Sequence, residues 1–174
     1  MPRFSVVLCF VATTLCAQQP DTVRKDSSRS DSSPPTPAQE RYLDGLRTVG
    51  RGIAQLKQGI DRVVRASGVK DSVKLAQAGR RLGGLCGSAR AFMGPGRAQM
   101  STAAYDDSVR THARKLAQQI DSMIGYMPTC QHAAFRTPTK TAADVLGLIR
   151  SYEGALKVFR TDIGLNRPPT VPSR

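Results

Sequence analysis

Outside the first 17 residues the chain carries two cysteines, Cys86 and Cys130, and with His132 they are the side chains best suited to chemistry. They could form a metal centre, supply a nucleophilic thiol or close a disulfide. Structural zinc is held by four nitrogen or sulfur ligands, commonly in pairs with a gap of two or more residues. Cys130-Gln131-His132 leaves a gap of one, and no fourth ligand is apparent. Covalent haem is excluded in its usual form because no Cys-x-x-Cys-His occurs. An even pair of cysteines in an exported chain reads as a disulfide, so Cys86 and Cys130 are expected to be bonded. His112 falls among the apolar positions of a helix and reads as a packed or half-buried histidine. Asp106 and Asp107 are placed in the first turn of a helix, where negative charge complements the dipole; Asp144 has the same explanation in the next helix. No Gly-x-Ser-x-Gly, phosphate-loop or dinucleotide-binding pattern is present. The expectation is therefore no catalytic residue, no metal and no cofactor.

Charge is the remaining chemical signal. Among 174 residues, 26 are Lys or Arg and 13 are Asp or Glu, for a formal net charge of +13. Arginine dominates, and its planar fork suits phosphate and carboxylate. Between Asp71 and Asp106 there is no acidic residue, while Lys74, Arg80, Arg81, Arg90 and Arg97 lie among glycines. A glycine-rich loop with free N–H groups and arginines would make an anion cradle, so Arg80, Arg81, Arg90 and Arg97 are the candidate anion-binding residues. The partner this implies is an anionic polymer or lipid head groups. Specific nucleic-acid binding is not expected. No recognition motif occurs, and Tyr42, Tyr105, Tyr152 and Phe159 fall at packing positions of helices, where they cannot stack on bases.

Helices must position these groups. Tyr42, Leu46, Val49, Ile53, Leu56, Ile60 and Val63 follow a strict heptad seam, predicting a helix over about 38–66. Arg47, Arg51, Arg62 and Arg65 lie opposite it. This apolar stripe is assigned to a bundle core in preference to a membrane surface. A second helix over about 70–93 would present Leu75, Ala78, Leu82, Leu85, Ala89 and Phe92. Gly79, Gly83, Gly84 and Gly87 interrupt it, and at ~1 kcal/mol each relative to alanine they predict a break near 83–84. A third runs from Ser101 or Thr102 to Pro128 through Tyr105, Val109, Leu116, Ile120, Met123 and Met127. A fourth begins with Thr141-Ala142-Ala143-Asp144, close to a capping box, and runs to Phe159. The fold class is all-α, a four-helix bundle-like domain over 38–166.

The disulfide tests that arrangement. In a flush antiparallel hairpin Cys86 would sit ~10 Å from the shared loop and Cys130 ~40 Å from it. A disulfide needs Cα atoms within ~7 Å, so either 83–100 is a crossover or the bond is absent or intermolecular.

The ends carry other signals. A basic start and the 14-residue apolar run Phe4–Ala17 read as a signal peptide (1–17) cleaved near Ala17; the run is shorter than the ~20 residues that span a bilayer. Residues 18–37 read as a disordered linker and 167–174 as a disordered tail. The mature chain is thus expected in the periplasm or outside the cell, with no transmembrane segment. Three roles fit: binding an anionic envelope component, self-association of a helical protein through the first helix's seam, or carriage of a small ligand between helices.

Overall fold

The computed structural model describes residues 34–69 and 71–165. Four helices follow in order: α1 (Pro37–Gly68), α2 (Ser72–Gln99), α3 (Asp107–Ala133) and α4 (Pro138–Asp162), with a 3₁₀ turn, Thr102–Ala104, between α2 and α3. Among the described residues there is no strand, and the fold is an all-α four-helix bundle. The signal peptide, linker residues 18–33 and the tail 167–174 lie outside the described residues.

Each helix begins for a local reason. At α1 the Gln39 N–H donates to the Thr36 hydroxyl while the Thr36 N–H donates to the Gln39 side chain, a reciprocal cap with Pro37 at the first helical position. Asp71 caps α2 by accepting from the N–H groups of Val73 and Lys74. The seven predicted seam residues of α1 are all buried. That seam is consumed within the bundle's own core, so it is not free to meet a second copy.

α1 and α2 pack antiparallel with their backbones in contact. Gly45, Gly52 and Gly59 recur every seventh residue of α1 and face Gly96, Ala89 and Leu82 of α2. A methyl on Gly52 would lie 2.9 Å from the Ala89 carbonyl oxygen, and one on Gly96 would lie 2.7 Å from the Gly45 carbonyl oxygen. Only glycine allows so close an approach. The seam tapers. Gly45 meets backbone at Gly96, whereas Gly59 meets the side chains of Leu82 and Leu85.

The expected break in the second helix is absent: α2 runs unbroken through Gly83-Gly84 and Pro95. Two of the four glycines that lower its propensity are residues its other neighbour needs. Gly79 lies against the Ala134 carbonyl, and a methyl on Gly83 would stand 2.9 Å from the Gln131 carbonyl oxygen. Packing on two sides outweighs propensity here. Pro95 is exposed and so is Ala91, whose carbonyl loses its helical donor to the proline but faces water. The buried stripe accordingly shifts, with Cys86 and Met93 fully buried and Phe92 exposed.

Neither sequence-based alternative for the disulfide holds. Cys86 and Cys130 are bonded, with Cα atoms 6.1 Å apart, between antiparallel helices. The two helices are staggered instead of flush. Cys86 lies 13 residues before the end of α2 and Cys130 lies 23 residues after the start of α3, a difference of ~15 Å along the axis. Residues 100–106 span that offset. The same stagger brings Arg97 onto Asp121. Two further boundaries differ from expectation. α3 starts at Asp107 and continues through Pro128 to Ala133, where Ala134 is buried against Gly79. α4 starts at Pro138, so Asp144 sits in its second turn, beyond the first-turn dipole site.

α3 packs on α2, and α4 closes the ring between α3 and α1. At one end Tyr42, Tyr105 and Phe159 form an aromatic cluster with centroids 5.1–5.3 Å apart, and Tyr42 donates to the Ala113 carbonyl at 3.2 Å. The opposite end, the turn end, is built from the C-terminus of α1, the N-terminus of α2 and the α3–α4 turn.

Candidate anion-binding surface

The helix disperses the four arginines that the sequence grouped. Arg80 and Arg97 are 17 residues apart, which is ~25 Å along a continuous helix, and the four point in several directions around it. Residues 83–96 belong to α2, so their N–H groups serve the helix and form no anion cradle. Arg97 is only partly exposed and places Nε and Nη2 each 3.0 Å from the Asp121 carboxylate. Arg90 is exposed midway along α2, away from either end.

Arg80 and Arg81 have different company. They are exposed eight and nine residues into α2, next to Gly79, which packs on Ala134 and Pro138 of the α3–α4 turn. Arg62 and Arg65 are exposed in the last two turns of α1, and Arg136 is exposed in the α3–α4 turn. Among the described residues no carboxylate stands within ion-pair distance of these five. Most acids of this end are already engaged. The Lys74 N–H donates to Asp71 and, with the Val73 N–H and the Lys74 ammonium, holds that carboxyl below the ordinary range. Lys140, then the Tyr126 hydroxyl, does the same for Asp144. Toward the other end Asp44 pairs with Arg47 and Asp107 with Arg110.

Apolar side chains share the turn end. Val64, Val69, Val73 and Phe135 are exposed, and the Arg136 guanidinium lies 5.5 Å over the Phe135 ring. Phe135, Arg136, His132 and Pro128 line a shallow groove of about 610 Å³. Reading along the chain did not join these groups. Arg62 and Arg65 are legible as the outer face of a helix, but only the antiparallel bundle puts them at the same end as Arg80, Arg81 and Arg136.

The other candidate chemistry resolves into structure. Among the described residues no three His, Cys, Asp or Glu side chains gather to hold a metal. His132 is exposed, and both cysteines are buried in their disulfide. His112 is half-buried and bonds through Nδ1 to the Asp162 carboxylate across the α3–α4 interface. Ser151 lines the same groove, yet its hydroxyl donates to the Gly147 carbonyl, and 11 residues of helix, ~16 Å, separate it from Asp162. The three residues do not form a serine–histidine–aspartate relay. Between α1 and α4 a groove of about 400 Å³ has Leu46, Ile53, Leu156 and Phe159 in its floor.

No family model, curated protein or solved structure matches the chain. Its functional reading therefore rests on this molecule's own surface.

Proposed function

We propose that this is an exported, non-catalytic protein that acts by binding an anionic partner through the turn end of its bundle. The observation that carries the reading is the convergence there of Arg62, Arg65, Arg80, Arg81 and Arg136, exposed and without carboxylate partners among the described residues. Arginines left unpaired in water are available for bidentate contact with phosphate, sulfate or carboxylate. Export is supported by the leader-like first 17 residues and by the disulfide, which persists in oxidising compartments. No described helix is long and apolar enough to cross a membrane.

Retention on a heparin matrix tests the proposal. The protein should bind at low ionic strength and elute as salt rises, because exposed charges are screened over ~10 Å at 0.1 M. The double substitution R80E/R81E should elute at clearly lower salt than R47E/R51E, which removes equal charge from the middle of α1. Equal shifts for the two variants would mean that net charge, not the turn end, governs retention. A second reading, carriage of a small apolar ligand, is favoured only by the α1–α4 groove.

A further inference from the structure

We infer that the anionic partner is the surface of an anionic phospholipid bilayer, met end-on by the turn joining α1 and α2. The inference rests on the anion-binding reading above and adds to it the apolar side chains standing among the arginines. Of the seven large hydrophobic residues exposed among those described, four, Val64 (58% exposed), Val69 (64%), Val73 (74%) and Phe135 (48%), belong to this one end, while Phe92, Val158 and Leu165 are spread over the middle of α2 and the far end of α4. A hydrated polyanion gains nothing from them. The boundary between head groups and acyl chains does, because it takes up apolar side chains to a depth of ~5–10 Å while phosphates meet basic ones.

The order of residues suits that boundary. Val69 and Val73 flank the α1–α2 connection at the tip of the hairpin. Arg65 stands one turn before Val69, and Arg80 and Arg81 follow about two turns after Val73. Val69 and Val73 at the tip, with the guanidinium groups of Arg65, Arg80 and Arg81 behind them and Val64 and Phe135 at the level of those arginines, match the layering of a bilayer, with acyl chains inside and phosphates outside. A second copy of the chain is a poor occupant, since two such ends would bring unpaired arginines together. Contact is peripheral in this arrangement, as no described helix has the length and hydropathy to span.

The test uses the oxidised protein in its exported form, without the leader-like residues 1–17, and two probes. The first is co-sedimentation with phosphatidylglycerol/phosphatidylcholine vesicles, with pure phosphatidylcholine as reference. The second is the heparin matrix. The variant V69S/V73S keeps every charge and changes two exposed residues, so circular dichroism should show an unchanged fold. Its partition onto anionic vesicles should fall at least about tenfold, each withdrawn methylene-sized group being worth roughly fourfold, with heparin elution unchanged. R80E/R81E should weaken both. Vesicle binding by V69S/V73S equal to the parent's would overturn the membrane inference. So would heparin retention without vesicle binding, which would point to a polymer or an acidic protein and leave the anion reading standing. Failure on both probes would remove the anion reading itself.

Discussion

Burial of its tyrosines gives the molecule a pH response that begins above neutrality. Loss of hydration raises Tyr105 and Tyr152 to about 12 from the ordinary 10, and it raises Tyr42, in contact with Tyr105, as well. Tyr126 is raised by burial and by its hydrogen bond to Asp144. Between pH 10 and 12 an unfolded chain releases the protons of Tyr42, Tyr105 and Tyr152 while the folded one keeps them, so stability must fall as pH rises through that window. Tyrosinate absorbance at 295 nm should therefore stay flat past pH 10 and then rise together with loss of helical ellipticity. A step at pH 10 with the helices intact would contradict the burial. At the acid end the sign reverses, because Asp71 and Asp144 are held below their usual range and their support fades as pH falls through it. The buried aromatic positions were legible from helical spacing, and Tyr42, Tyr105, Tyr152 and Phe159 are indeed interior. The ion pairs Arg97–Asp121 and His112–Asp162 were not legible, since each joins residues on different helices whose stagger the spacing does not encode.

Glycines within the helices have opposite roles according to what they face. Gly147 and Gly154 have open space where a side chain would be, whereas Gly52 is pressed against the Ala89 carbonyl. Gly154→Ala should raise stability by about 0.5–1 kcal/mol through the entropy of the unfolded chain. Gly52→Ala should lower it, because α1 and α2 must separate to admit a methyl. Urea unfolding followed by ellipticity would compare them, and similar effects of the two substitutions would refute the close seam. This contrast also explains which helices were readable. α1 was placed within two residues at each end because its apolar heptad and its neighbours' demands agree. α2 was expected to break because propensity is local, while the need for Gly79 and Gly83 arises from Ala134 and Gln131, about 50 residues away. The heptad of Gly45, Gly52 and Gly59 carries no apolar signal, although the smallest residues recur there with the same period as the apolar seam.

At the scale of the whole molecule, one covalent tie joins the helices among the described residues. Cys86–Cys130 closes a separation of 44 residues, for which chain entropy predicts about 4 kcal/mol. The double variant C86S/C130S should remain helical but show a urea midpoint lowered in proportion, and an unchanged midpoint would show that the bond constrains nothing in the unfolded chain. Residue spacing indicated that the cysteines pair, but it treated the hairpin as flush and so could not see how. The missing quantity was the length of 100–106, which sets the offset of α3. The proposed anion surface shares with the sequence-based group of Arg80, Arg81, Arg90 and Arg97 only the first two; Arg62, Arg65 and Arg136 come from two other helical ends. The tapered α1–α2 seam has a consequence for all of this. Slide α2 by seven residues one way and Ala89 is driven into Gly45, with Leu82 against Gly52; slide it the other way and Gly96 leaves a gap opposite Gly52. Like a key cut for one lock, the gradation from glycine to leucine admits one axial setting, and that setting decides which residues share each end of the molecule.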